Sequence, residues 1–288
     1  MKKIFFALPG NEKLTLQLIQ KEKGEQGQVE IRRFPDDETY IRILSDVRDY
    51  NVFLVCTLHK PDNKIVPLFF LAKTAKEMGA KSVCLIAPYL AYMRQDTIFK
   101  LGEGVTSTYF ASFISSFVNR LITIDPHLHR RSSLSEIYTI PTKMRHAAAL
   151  ISLYIKNNIK KPLLIGPDME SEQWVSEVAK NANAPYIILT KIRHGDRNVT
   201  VSIPQVEQYN DHTPVLVDDI ISTGRTLIET ISHLKIAGMQ PPICIGVHAV
   251  FAGNAYQEIL KSGAKEVITC NTILHQSNKI DISDLLMS

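Results

Sequence analysis

A chain of 288 residues that is 45% hydrophobic exceeds one ordinary core and has too much apolar content for disorder, so two α/β domains are expected. Its net charge of +4 comes from scattered basic residues, which gives no case for nucleic acid and leaves anionic small molecules as the favoured partners. The four cysteines, Cys56, Cys84, Cys244 and Cys270, stand singly in apolar runs without Cys-x-x-Cys spacing; they predict buried thiols in a reducing cytosol, and no apolar run is long enough for a membrane span.

Along the first half, strands are predicted at 3–8, 29–32, 52–57, 83–87 and 121–124, with helices at 64–78 and 106–117 between them. The basic start Lys2-Lys3 and its apolar run stop at Pro9-Gly10-Asn11, too soon for a signal peptide. A soft boundary near 140–142 precedes a helix predicted to begin around Lys143, dividing the chain into 1–141 and 142–288. The second half repeats the rhythm, with strands at 163–165, 186–189, 215–217, 243–250 and 266–269. Met78-Gly79-Ala80-Lys81-Ser82-Val83 and Ser262-Gly263-Ala264-Lys265-Glu266-Val267 both read as helix, glycine stop and strand, a faint echo between the halves. Such alternation predicts mainly parallel sheets flanked by helices, with ligands at the carboxyl ends of the strands.

The most informative run is Pro214-Val215-Leu216-Val217-Asp218-Asp219-Ile220-Ile221-Ser222-Thr223-Gly224-Arg225-Thr226. A buried strand ends in two acids able to accept hydrogen bonds from neighbouring sugar hydroxyls. A small polar loop follows, whose amides and hydroxyls suit a phosphate at a helix start. Thr226 is expected to open that helix, Leu227, Ile228, Ile231 and Leu234 to form its apolar stripe, and Gly238 with Pro241-Pro242 to end it.

Other clusters also follow strands. Arg33-Phe34-Pro35-Asp36-Asp37-Glu38 sets a ring beside three acids, and by itself reads as an acidic turn. Pro88 to Asp96 gathers Tyr89, Tyr92, Arg94, Gln95 and Asp96 in what could be a polar surface loop. Asp125-Pro126-His127-Leu128-His129 carries two histidines two apart, a spacing open to zinc, although no third ligand stands close in sequence. Asp168 after Gly166-Pro167 can cap a helix or hold magnesium. Lys191-Ile192-Arg193 places cations at alternate strand positions, either an exposed basic edge or a clamp for an anion.

The 214–226 run resembles the PRPP-binding motif shared by type I phosphoribosyltransferases and ribose-phosphate diphosphokinases (PRPP synthetases). The segment Pro88-Tyr89-x-x-Tyr92-x-Arg94-Gln95-Asp96, the Asp125-x-His127 pair, Lys191-x-Arg193 and Thr269-Cys270-Asn271-Thr272-Ile273 are similar in the same order to segments of the diphosphokinases, and the first and third of these set them apart from the phosphoribosyltransferases. The 100–107 loop is closest in style to the archaeal-type branch. Departures occur at Asp37, where the family has Gly, and at 169–174, where Met169-Glu170-Ser171 and Trp174 replace His-Gly-Gly and Arg.

This resemblance implies two tandem type I phosphoribosyltransferase-like domains, the first on the ATP side and the second on the ribose 5-phosphate side. It implies a cytoplasmic homo-oligomer built from dimers that transfers diphosphate from MgATP to ribose 5-phosphate. Lys191 and Arg193 would be catalytic. Arg94, Gln95 and Asp96 would bind ATP, joined by Phe34, Asp36 and Glu38 from a neighbouring protomer. Asp218 and Asp219 would hold the ribose, Ser222, Thr223, Gly224, Arg225 and Thr226 its phosphate, and His127 and Asp168 the Mg2+. A non-catalytic, nucleotide-binding regulatory relative and a phosphoribosyltransferase are the other readings of these motifs.

Overall fold

The computed structural model describes residues 2–128, 130–167, 169–189, 191–194, 198–201 and 206–287. They form two compact units, one of Met1–Arg145 with Ser283–Ser288 and one of His146–Ile282.

The first unit runs β1 (Lys3–Ala7), α1 (Glu12–Glu22), β2 (Glu25–Gln26), the hairpin β3 (Val29–Arg33) and β4 (Thr39–Ile43), and β5 (Asn51–Val55). It continues with α2 (Asp62–Glu77), β6 (Ser82–Ala87), α3 (Thr106–Phe117), β7 (Arg120–Ile124) and β8 (Thr142–Arg145). Its six-stranded sheet has the order β2-β1-β5-β6-β7-β8, with every pairing parallel. A parallel sheet covered by helices needs strands that are apolar on both faces, which is how Val52 to Val55 and Val83 to Ala87 read, all of them buried. Ile4, Phe6, Val52 and Leu54 share a core with Leu68, Leu71, Phe110 and Ile114 of α2 and α3. The Phe5 and Phe53 rings stack separately, with centroids 4.7 Å apart.

The second unit runs α4 (Ala148–Asn158), β9 (Pro162–Gly166), α5 (Glu172–Ala182), β10 (Tyr186–Ile188) and the hairpin β11 (Lys191–His194) and β12 (Asn198–Val201). Then come β13 (Thr213–Ile221), α6 (Arg225–Ile236), β14 (Ile243–Ala249), α7 (Ala255–Ser262), β15 (Glu266–Cys270) and β16 (Asn278–Ile280). The sheet order β10-β9-β13-β14-β15-β16 repeats the first sheet strand for strand, again all parallel. Each half also inserts an antiparallel hairpin between its second and third sheet strands. The expected α/β architecture of two like domains is therefore present. A last helix, α8 (Ser283–Met287), packs on α1 of the first unit, where Lys21 pairs with Asp284.

The helix expected around Lys143 is a strand instead. Thr142–Arg145 pairs with Leu121–Ile124 as an edge, and the Arg145 carbonyl takes the Asp125 N–H at 2.9 Å; the apolar helical stripe begins only at Ala147, ahead of α4. Strand β13 is longer than expected, because Ile220 and Ile221 pair with His248 and Ala249 of β14, so Asp218 and Asp219 lie within the strand and not past its end.

Candidate functional site

In the second unit, β13 delivers Asp218 and Asp219, both half-buried, above the fully buried Val215 to Val217. The loop that follows is held at two points, by the N–H groups of Phe251 and Ala252 on the carbonyls of Ile221 (2.9 Å) and Ser222 (3.1 Å). Gly224 then takes the left-handed conformation, φ 70°, and caps α6 with its carbonyl on the Ile228 N–H at 2.9 Å. This corrects the expectation that Thr226 starts the helix. A side chain here would be strained and would force a shift, since a Cβ on Gly224 would stand 2.7 Å from Ile259 Cδ1. The amides of Arg225, Thr226 and Leu227 consequently open the helix without intrahelical acceptors, a geometry suited to a phosphate.

Lys191 and Arg193 occupy alternate positions of β11, opposite Val201 and Val199 of β12, and β12 lies beside α6. Asp168 and His129 lie outside the described residues. Between Asp168 and α5 the chain makes one short 3-10 turn at Met169–Ser171.

In the first unit, Phe34 is 40% exposed at the tip of the β3–β4 hairpin. Its ring meets Tyr40 edge-on with centroids 5.7 Å apart, and the Arg32 guanidinium lies 5.0 Å from the Phe34 centroid and 3.9 Å from that of Tyr40. The turn closes through Phe34 N–H to Glu38 O at 2.8 Å and Asp37 N–H to Phe34 O at 3.0 Å. Asp37 stands at φ 68°, the region a glycine would adopt and one that aspartate tolerates better than most residues, so the departure at this position preserves a left-handed turn. Asp36 and Glu38 are both exposed.

Arg33, Glu38, Asp62, Asn63, Val66 and Phe70 border a cleft of about 510 Å3 between this hairpin and α2. Asp62 also accepts a hydrogen bond from the Tyr92 hydroxyl, whose pKa is pushed up to about 12, first by that bond and then by burial and the carboxylate charge. The hairpin cleft is thereby linked to the 88–96 loop two residues before Arg94.

Arg94 is exposed, whereas Gln95 is tied to the start of α3 by Thr106 Oγ1 (3.4 Å) on its Oε1 and Ser107 N–H (3.3 Å) on its carbonyl. The Asp96 side chain is only 5% exposed and forms a 2.8 Å ion pair with Arg130; Arg131 donates to the Asp96 carbonyl at 3.3 Å. Half-buried His127 lies just past Asp125, which is buried at φ 34°. Arg130 escaped the sequence reading, which had no signal for it beyond its place after His127. A second omission is Lys64, whose Nζ donates to Thr57 O at 2.8 Å and lies 3.0 Å from His59 Nδ1. Among the described residues no group of three or more His, Cys, Asp or Glu side chains is placed to hold a metal ion.

Comparisons with known proteins cover both halves. Residues 3–117 match the N-terminal domain of ribose phosphate pyrophosphokinase, and residues 133–284 match the phosphoribosyl transferase domain. A ribose-phosphate pyrophosphokinase of Saccharolobus solfataricus is 34% identical over 85% of this chain and 84% of its own length. That of Sulfurisphaera tokodaii is 30% identical over 89% and 88%, and that of Pyrococcus abyssi 28% identical over 99% and 98%. The crystal structure of phosphoribosylpyrophosphate synthetase from Mycobacterium smegmatis superposes with a TM-score of 0.86 over 99% of this chain and 96% of that one, at 22% identity, and shares the fold. With both domain matches in order and relatives aligned over most of their lengths, the chain belongs to the ribose-phosphate pyrophosphokinase family.

Proposed function

We propose that the protein transfers diphosphate from MgATP to the anomeric hydroxyl of ribose 5-phosphate, giving PRPP and AMP. The observation that carries this reading is the strand, loop and helix of 213–226, where two acids precede a turn built on the left-handed Gly224. Family membership, resting on both domain matches, supplies the reaction class.

In this reading Asp218 and Asp219 accept hydrogen bonds from the ribose hydroxyls, and residues 222–226 hold the 5-phosphate through amides and hydroxyls. The anomeric oxygen attacks the β-phosphorus of ATP, the bond to the α-phosphate oxygen breaks, and AMP departs with the electron pair. Rate comes from alignment and from charge neutralisation, to which Lys191 and Arg193 contribute on the transferred group. Arg94 and Gln95 bind the nucleotide, with Asp96 fixing their loop through Arg130.

Mg2+ bound to the triphosphate would draw charge from its oxygens and orient it. The donors on offer, His127 and Asp168, would hold an ion that arrives with the phosphates and keeps most of its waters. No helix among the described residues is long and apolar enough to cross a membrane, and the buried free thiols support a cytoplasmic setting. The exposed Phe34 tip and the exposed Val66, Phe70, Tyr109 and Phe113 on α2 and α3 support a homo-oligomer built from dimers, with Phe34, Asp36 and Glu38 serving a neighbour's nucleotide. The test is to mix the protein with MgATP and ribose 5-phosphate and to follow AMP and PRPP together; formation of neither would remove the proposal.

A further inference from the structure

The 222–224 loop does not hold its own shape. The Ile221 and Ser222 carbonyls are fixed by the backbone N–H groups of Phe251 and Ala252, at 2.9 and 3.1 Å respectively, and Gly224 rests on the Ile259 side chain of α7. Three supports thus come from the single stretch 251–259, which runs from just past β14 into α7. That stretch is itself under constraint. Phe251 sits at φ 38°, a left-handed conformation that costs a non-glycine residue free energy and persists only where its surroundings impose it.

A closed set of three rings provides the imposition. The Phe251 and His275 centroids are 4.6 Å apart, Tyr256 and His275 4.8 Å, and Phe251 and Tyr256 5.3 Å, within the range where tilted and edge-on aromatic pairs attract. Tyr256 is three residues before Ile259 on α7, and residues so spaced are neighbours on one helix face. His275 is the anchor. Its Nδ1 accepts the Ser277 N–H at 3.2 Å and lies 2.8 Å from Ser277 Oγ, while the His275 backbone N–H donates to Asn278 Oδ1 at 2.8 Å. Asn278 Nδ2 in turn donates to Thr269 Oγ1 and to the Cys270 carbonyl, both at 2.9 Å. The rings therefore connect the end of β15 to the floor of the 222–224 loop.

We propose that Phe251, Tyr256 and His275 act as positioning residues that set the height and tilt of the sugar-phosphate loop, so that affinity for ribose 5-phosphate depends on a ring cluster that does not touch it. This rests on the assignment of 218–226 to ribose 5-phosphate. The cluster fixes where the Gly224 turn stands relative to Asp218 and Asp219, and leaves the nucleotide contacts of the first unit untouched.

The experiment compares Tyr256→Ala, Tyr256→Leu and Tyr256→Phe in steady-state PRPP formation and in calorimetric titration with ribose 5-phosphate. Loss of the ring in the Ala and Leu variants is expected to weaken ribose 5-phosphate binding and raise its KM about tenfold, with the KM for ATP within about twofold of the parent. Tyr256→Phe, which keeps the ring, restores parental values. Tyr256→Leu supplies the readout if Tyr256→Ala does not fold. Equal changes in both KM values, or no change in either, would overturn the proposal. Asp219→Asn, run in parallel, separates the two levels. If it raises the ribose 5-phosphate KM while the Tyr256 variants do not, only the ring cluster loses its role; if it leaves that KM unchanged, the sugar-phosphate assignment and the proposal fall together.

Discussion

Replacing Gly224 with alanine should damage the sugar-phosphate site more than the fold. A Cβ there would stand 2.7 Å from Ile259 Cδ1 and 2.9 Å from Ile259 Cγ1, about 1 Å inside normal carbon–carbon contact. Ile259 is fully buried, so its side chain cannot swing aside freely. The φ of 70° adds roughly 1–2 kcal/mol for any L-residue, and overpacking a filled core adds about 1–3 kcal/mol. The sum is roughly 2–5 kcal/mol. Lifting the loop relieves the clash at the expense of its phosphate contacts, so if half the strain is relieved that way, ribose 5-phosphate affinity falls about 5- to 70-fold. Calorimetric titration with ribose 5-phosphate measures this directly, and thermal melting reports the remainder. Gly224→Ala combined with Ile259→Ala should recover part of the lost affinity, because the two changes meet in one contact. Parental affinity in Gly224→Ala would show that the turn does not carry the phosphate.

Lys191→Ala should lower kcat by about 100- to 1,000-fold while leaving ATP binding close to parental, since a group acting on transferred charge works mainly in the transition state; rapid-quench kinetics with equilibrium dialysis checks both, and near-normal turnover would remove Lys191 from the mechanism. Arg130→Ala strands the buried Asp96 carboxylate, so the protein should lose roughly 2–3 kcal/mol of stability, and the KM for ATP should rise as the 94–96 loop loosens; Arg130→Lys should retain part of both. His59 is held down to about 4, chiefly by burial and then by the Lys64 and Lys60 charges. Because its folded value lies below the unfolded one, its contribution is fully present above about pH 6.5 and is lost as pH falls toward about 4. For a part-exposed ring this is worth roughly 1–2 kcal/mol after allowance for screening, and His59→Asn should flatten the stability profile across that window in urea titrations.

Much of this architecture was legible in the sequence because parallel strands covered on both faces are written as unbroken apolar runs. Val52 to Val55, Val83 to Ala87 and Val215 to Val217 are such runs, and all are buried strands. Edge elements were harder to read. Strand β8 is Thr-Lys-Met-Arg, only half-buried, and its place depends on pairing with β7 instead of on its own pattern; the short β16 and α8 carry equally little periodicity. The 213–226 segment declared its chemistry through residue types, yet the helix start at Arg225 depends on a left-handed Gly224 pressed against Ile259, thirty-five residues away in the chain. Arg130 and His275 were illegible for the same reason, since their partners Asp96, Phe251 and Tyr256 come together only in the folded units.

The most direct trial of the account is phosphorus NMR of the protein turning over MgATP with ribose 5-phosphate. AMP and the C1-diphosphate signals of PRPP should rise in equal amounts, omission of either substrate should abolish both, and Asp219→Asn should raise the ribose 5-phosphate requirement. ATP bound without any PRPP formed would contradict it and mark the chain as a regulatory relative. Consumption of added PRPP with a nucleobase would mark it instead as a phosphoribosyltransferase.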